Sequence, residues 1–227
     1  MIELKEINKS YNKRHVLVGL NLKMYANESI AICGRSGSGK STLINIIAGL
    51  LTIYSGDYFF NETQMSLLSD SKRAKFRQEE IGIITQHFDL LENRNVKANI
   101  MLALEHLKLS KVEKNRKIRD VLQYVGLEGF ERKRISELSG GEKQRVAICR
   151  ALIKRPKFII ADEPTGSLDE ETRDQMLQIF KQMTKDGTRF IIVTHDNDVA
   201  QICDRVYFLR KGILEERSEG KRVSAWT

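Results

Sequence analysis

The chain has 227 residues, 41% hydrophobic and 30% charged with only 2 prolines, a make-up that suits one folded α/β core and excludes a disordered or fibrous chain. Its 38 basic and 30 acidic residues leave a formal charge of +8, a balance that would suit nucleic acid or an anionic membrane face. No run of about 18 apolar residues is present to cross a bilayer as a helix. The opening segment Met1 to Ile7 alternates charged with apolar residues, unlike the basic-then-apolar order of a secretory signal, so a cytosolic chain is expected.

In chain order, Ile2 to Ile7 and Val16 to Met24 read as strands separated by the turn residues Asn8, Tyr11 and Asn12, and Ser29 to Cys33 reads as a short apolar strand entering a glycine-rich loop. A helix follows over Lys40 to Ala48. Ser55-Gly56-Asp57 marks a turn, with strands at Tyr58 to Phe60 and Ile81 to Thr85. From Val96 to Ile153 the apolar period is helical, clearest in Val96 to Leu104 and in Val112 to Val125, where Gly126 ends the helix. Strand Phe158 to Ala161, helix Glu171 to Met183 and strands Phe190 to Thr194 and Val206 to Leu209 restore a β/α alternation, which implies a parallel sheet covered by helices. Cys33, Cys149 and Cys203 stand far apart with no CxxC, so small buried apolar roles are expected rather than disulfides or a zinc site. The basic residues are diffuse: Lys72, Arg73, Lys75 and Arg77 alternate with apolar residues, and Lys111, Lys114, Lys117 and Arg119 decorate a helix whose apolar stripe is Ile118, Val121, Leu122 and Val125. Solvated faces account for both groups.

The loop Gly34-Arg35-Ser36-Gly37-Ser38-Gly39-Lys40-Ser41-Thr42 follows a strand and opens a helix, the context in which a G-x-x-x-x-G-K-[ST] string makes a phosphate site. Glycines let successive amides turn inward on phosphate oxygens, and the helix end adds about half a positive charge. Lys40 would reach the β- and γ-phosphates and Ser41 would bind Mg²⁺. Triphosphate chemistry then needs a further carboxylate for the metal and a group to activate water. Phe158-Ile159-Ile160-Ala161-Asp162-Glu163 offers both, a buried strand ending in two acids at the edge where parallel sheets bind ligands. Asp162 would hold Mg²⁺, and Glu163, facing the other way, would act as general base.

Leu138-Ser139-Gly140-Gly141-Glu142-Lys143-Gln144-Arg145 leads into another helix and, through Ser139, Gly140 and Gly141, provides a second anion site at a helix amino end. Six such fixed positions arise by chance in fewer than about one chain in ten thousand. The string resembles the signature of the ABC ATPase subunits, and the resemblance covers nearly the whole chain with all motifs in family order. It implies a P-loop ABC ATPase of α/β class with a parallel-sheet core, an antiparallel β subdomain and a helical subdomain inserted over about 87–153, all within one nucleotide-binding domain of residues 1–227. It further implies ATP hydrolysis with Mg²⁺. Tyr11 resembles the aromatic that stacks on adenine. Gln86 is similar to the glutamine that contacts Mg²⁺ and the attacking water, Asp169 in Ser167-Leu168-Asp169 to the loop that crosses to a second subunit, and His195 to the histidine that grips the γ-phosphate. His15, His87 and His106 match no such position.

The resemblance also implies two copies meeting head to tail, each ATP lying between one copy's cradle and the other's signature, and a separately encoded membrane permease docked near Gln86 and residues 87–104, where Phe88, Leu90, Leu91 and Met101 could line the groove. The expected location is cytoplasmic, peripheral on the inner face of the cell membrane. The run Glu163 to Asp169, with Val96, Asn99 and Ile100, resembles the macrolide-export and lipoprotein-release branch, although Thr85 stands where an aromatic often precedes the glutamine and Glu142-Lys143 replaces frequent glutamines. The alternative, a soluble ABC ATPase acting on nucleic acid or ribosomes, would use the positive charge but lacks the heptads or second cradle such proteins usually carry. No nucleic acid is therefore expected as partner. The transported substrate lies beyond the sequence.

Overall fold

Alternation in the opening segment puts Ile2, Leu4 and Ile7 on one face, and in the computed structural model, which describes residues 1–217, all three are buried in strand β1 (Ile2–Tyr11). β2 (Arg14–Met24) returns antiparallel to β1, burying Leu17, Leu20, Leu22 and Met24 on the matching face. β3 (Ile30–Cys33) is buried along its whole length and leads into α1 (Lys40–Ile47), whose Leu43, Ile44, Ile46 and Ile47 are buried. β4 (Ser55–Phe60) pairs with the other side of β1, and the short β5 (Thr63–Gln64) closes a four-stranded sheet in the order β2-β1-β4-β5. α2 (Asp70–Glu80) follows, then β6 (Ile81–Ile84), α3 (Val96–Met101), α4 (Lys111–Tyr124), α5 (Gly140–Leu152), β7 (Phe158–Asp162), α6 (Glu170–Lys185), β8 (Phe190–Val193), α7 (Asn197–Ala200), β9 (Arg205–Arg210) and β10 (Ile213–Glu216).

These elements form two compact units. One comprises Met1–Arg77 and the described residues from Arg189 onward. In it β3 lies between β8 and β9, parallel to both, with β10 antiparallel to β9. The buried Tyr58 of β4 donates its hydroxyl hydrogen to the carbonyl of Ile47 at 2.8 Å, which fixes the far end of α1 against the antiparallel sheet. The other unit, Gln78–Thr188, holds the parallel pair β6 and β7 with α3 to α6. The helical segment expected over about 87–153 falls inside this second unit. Parallel and antiparallel strands with helices make the chain α/β, as the sequence implies.

Several local expectations change. Ser55-Gly56-Asp57 is strand, not turn. Its partner β1 changes register between Lys5 and Asn8 and carries Glu6 at φ 51°, so β4 must pass very close to that irregularity. Gly56 allows this at φ 95°: a Cβ there would lie 2.4 Å from the Glu6 carbonyl oxygen. The segment with Lys72, Arg73, Lys75 and Arg77 is helix α2, which buries only Phe76, stacked edge-on against Phe60 with centroids 4.8 Å apart. Its arginines bind backbone, Arg73 to the carbonyl of Leu68 and Arg77 to that of Gly49. β5, α7 and β10 are further elements that the sequence pattern does not announce. Cys33 and Cys149 are buried and Cys203 is partly buried, none of them in a disulfide among the described residues. Residues 218–227 lie outside the described residues. Gly56→Ala is expected to lower stability by roughly 1–3 kcal/mol through strain at the β1–β4 crossing, measured by urea unfolding.

Candidate functional site

The glycine-rich loop leaves β3 at Gly34 and enters α1 at Lys40. Gly39 is the N-cap of α1, at φ 109° and with no side chain to accept from the first-turn amides, and no acid lies in that turn. The amides of the helix end therefore stay available to an anion. A Cβ on Gly39 would stand 2.9 Å from the Val16 carbonyl oxygen, so the loop runs tight against β2. Ser38 Oγ is buried without a hydrogen-bond partner among the described residues, an orphaned donor inside the loop. Lys40 Nζ folds back over the loop, donating to the carbonyls of Gly34 at 2.7 Å and Arg35 at 3.1 Å. Ser36 and Ser41 are exposed and Thr42 half-buried. This donor set of amides, hydroxyls and one ammonium, with no carboxylate in the first turn, fits a polyphosphate.

In the same unit, His195 follows β8. Parallel pairing of Ile32 with Val193 brings His195 level with Gly34, where the loop begins. The His195 side chain is exposed, and Asp196 beyond it caps α7. Tyr11 ends β1 beside the hairpin turn at Asn12 and is 48% exposed.

The second unit carries the carboxylates. β6 and β7 run in parallel register through Ile84 and Ala161, so Gln86 and Glu163 leave their strands at the same level. Asp162 and Glu163 are half-buried, and Glu163 sits at φ 46°, a left-handed conformation that bulky residues seldom adopt. Gly166 turns back to donate to the Glu163 carbonyl at 3.1 Å, and a Cβ on Gly166 would lie 3.6 Å from Gln86 Nε2 and 3.5 Å from the Glu163 Cβ. The glutamine amide and the Glu163 side chain thus share one small neighbourhood.

Two side chains hold the loop after Gln86: Arg150, which belongs to none of the motifs, and Asn99, which the sequence marks only as part of the branch resemblance. Phe88 and Asp89 both have positive φ, 63° and 48°. Arg150 of α5 donates to both of their carbonyls, at 2.8 Å to Phe88, and desolvation lowers the pKa of its guanidinium. Asn99 of α3 is fully buried. It accepts from the Leu91 amide at 2.7 Å and donates to the carbonyls of Leu91 at 3.1 Å and Asn95 at 3.0 Å. Besides the branch resemblance, the sequence signal for Asn99 is an asparagine on the buried stripe of α3, next to Ile100.

Ser139 caps α5. Its Oγ accepts from the Glu142 amide at 3.3 Å, and Glu142 reaches back to the Ser139 amide at 2.7 Å. The hydroxyl keeps its own hydrogen to donate. Ser139 and Gly140 are exposed, whereas Gly141 is buried under Thr172, whose methyl would be 2.2 Å from a Cβ there. Buried Gln144 donates to the Pro164 carbonyl at 2.7 Å, tying the signature helix to the segment after β7. Lys143 pairs with Glu92 at 3.1 Å. Asp169 caps α6, accepting from the Thr172 amide at 2.9 Å and the Thr172 hydroxyl at 2.8 Å; these hydrogen bonds hold its carboxyl below the usual range.

Among the described residues no cluster of three or more histidine, cysteine or acidic side chains could by itself cage a metal. In the first unit Ser41 offers a hydroxyl, and in the second Gln86 and Asp162 offer an amide and a carboxylate oxygen; each is a hard oxygen donor of the kind Mg²⁺ takes beside waters and phosphate oxygens.

A family model described as ABC transporter matches residues 17–166. The chain is 40% identical over 225 residues to the ABC transporter ATP-binding protein YvrO of Bacillus subtilis (strain 168), covering 96% of this chain and 98% of that protein. It is 36% identical to the macrolide export ATP-binding/permease protein MacB of Mannheimia succiniciproducens over 93% of this chain, and spans only 34% of that longer protein. Among solved structures, a dimeric ATP-binding cassette in a post-hydrolysis state bound to ADP and Pi superposes with TM-score 0.87 at 33% identity, over 96% of this chain and 98% of the other.

The hold on the loop after Gln86 is testable. Arg150→Met is expected to lower ATP turnover by roughly ten- to a hundredfold, the scale set by small displacements of a reacting group. Hydrogen exchange over 86–91 should quicken while α5 stays protected. Wild-type turnover and exchange would show that Arg150 only packs.

Proposed function

The chain belongs to the ABC transporter family, and from that membership we propose that it is the motor of a transporter whose membrane-spanning permease is a separate polypeptide. It is an ATP-binding, ATP-hydrolysing subunit of the ABC type. The observation that carries this reading is the cradle at α1: a helix end free of acids, with Lys40 over it and the orphaned Ser38 Oγ inside.

In this proposal the amides of 34–42, with Ser36, Ser38 and Thr42, hold the phosphates, and Lys40 neutralises the β- and γ-phosphates. Ser41, Gln86 and Asp162 would hold Mg²⁺, which would supply Lewis-acid stabilisation of the phosphate charge. Glu163 takes a proton from the attacking water, Gln86 orients that water, and His195 contacts the γ-phosphate as charge moves onto its oxygens. Tyr11 stacks on adenine. The left-handed backbone of Glu163 supports this role, because such strain concentrates where a side chain must be aimed.

Ser139, Gly140 and Gly141 would form a second phosphate site at the exposed amino end of α5. We assign it to the nucleotide held by another copy of this chain, with Asp169 near the crossing loop; the dimeric cassettes at 33–34% identity support that assembly. For the permease, Phe88, Leu90 and Met101 are only half-buried and Leu91 is 40% exposed. An apolar, solvent-facing loop next to Gln86 suits a docking groove that relays nucleotide state. Among the described residues no helix is long and apolar enough to cross a membrane, so such docking would place the chain at the inner membrane face. The MacB similarity favours export or extraction of substrate. No observation favours a nucleic-acid partner.

Glu163→Gln is expected to bind ATP as the wild type does and to lose roughly a hundred- to ten-thousandfold in turnover; undiminished hydrolysis would remove Glu163 from the role of base. Leu91→Asp is expected to lower recovery of a membrane protein in affinity capture from detergent-solubilised native membranes. Unchanged recovery would put the docking surface elsewhere.

A further inference from the structure

Lys9 is an anomaly in β1. Its side chain lies on the same strand face as Ile7 and Tyr11, yet it is only 7% exposed, opposite fully buried Leu17. An ammonium in that setting needs compensation. Two groups supply it: Nζ donates to the carbonyl of Ile53 at 2.5 Å, and it stands 4.7 Å from the centroid of the Tyr11 ring. The second contact is a cation–π pair of ordinary reach.

The placement explains what the lysine does. The pairing of β1 with β2 changes register on both sides of Lys9, between Ile7 and Lys9 and again between Lys9 and Ser10. The tip of the hairpin, with Tyr11 and Asn12, therefore continues beyond a break in the regular ladder, and such breaks re-aim side chains. Ile53 belongs to the segment just after α1, which is tied back to that helix because the amides of Leu50 and Leu51 both donate to the carbonyl of Asn45. Lys9 is thus a bracket between the tip of the hairpin and the helix that carries the phosphate cradle, with the tyrosine ring resting on the bracket.

We propose that Lys9 is a positioning residue for the base of the nucleotide: docked on the Ile53 carbonyl, its ammonium holds one face of the Tyr11 ring and leaves the other face set for stacking on a purine. This rests on the proposed role of Tyr11 in binding adenine. It adds that base recognition depends on a buried cation two residues earlier, and that this cation sets the ring relative to α1. Arginine can replace lysine here, since it keeps charge and donors; methionine keeps the volume and loses both.

The test compares two probes on the full chain, ATP and inorganic tripolyphosphate, the second having no base to stack. Lys9→Met is expected to weaken ATP by about three- to tenfold, the range of a partly desolvated cation–π contact, with tripolyphosphate affinity unchanged. Lys9→Arg should restore ATP affinity, and Lys9→Met combined with Tyr11→Ala should bind ATP no more weakly than Tyr11→Ala alone. Lys9→Gln, which keeps a donor for the Ile53 carbonyl without the charge, carries the same comparison with less risk to folding. Equal loss of ATP and tripolyphosphate would overturn the proposal, leaving Lys9 as a support of the fold. Weakened ATP binding in Tyr11→Ala with none in Lys9→Met and Lys9→Gln would overturn it while sparing the tyrosine. Wild-type ATP affinity in Tyr11→Ala would overturn the adenine reading and this inference together.

Discussion

The amino end of α1 is the constraint on which the rest depends. Four backbone amides of a helix begin without partners, and in most helices a capping side chain or an early acid answers some of them. Here Gly39 occupies the cap and has nothing to offer, no acid follows, and the loop is pressed against β2 so closely that a methyl at Gly39 would not fit. The opposite end of α1 is fixed by the Tyr58 hydroxyl. A helix held rigidly at one end and left electrically unsatisfied at the other is a stable scaffold with a standing preference for an anion. That local cost is offset by the buried apolar faces of β3 and α1 around it.

The second unit is organised around a different problem, holding irregular backbone in fixed form. Glu163, Phe88 and Asp89 all adopt left-handed conformations, each costing about 1–3 kcal/mol that the contacts of their neighbours must offset. The neighbours are identifiable: Arg150 and Asn99 for the loop after Gln86, Gly166 and Gln144 for the turn after Glu163. Arg150 and Gln144 both belong to α5, the helix that Ser139 caps. One helix therefore contacts the glutamine loop, the carboxylate turn and, at its own end, the exposed signature. In the proposed function this is how nucleotide chemistry and the permease groove respond to one another, since a movement of α5 shifts three sets of contacts at once.

The strands were legible because their residues announce burial. Ile30 to Cys33, Phe158 to Ala161 and Phe190 to Val193 are short apolar runs and form parallel strands, while the alternation in β1 and β2 marks an antiparallel pair with one buried face. α2 was not legible, since a helix that buries only Phe76 leaves no apolar stripe to read. Ser55-Gly56-Asp57 misled because turn propensity records what a residue tolerates, and Gly56 is needed for close approach within a strand. The motifs located the loop, the acids and the signature, which are contiguous strings. Arg150 and Lys9 escaped because each works by reaching a distant carbonyl, and such a contact has no spacing rule in the sequence; Asn99 falls within the branch resemblance, which does not disclose its bonds to the Leu91 and Asn95 backbone.

In the proposed function ATP joins two copies of this chain, the cradle of one closed by the signature of the other. Sedimentation velocity of Glu163→Gln with and without MgATP tests it most directly. A monomer is expected without nucleotide and a dimer with MgATP, lost again when Ser139→Arg blocks the signature end of α5. A species that remains monomeric with saturating MgATP at high protein concentration would contradict it.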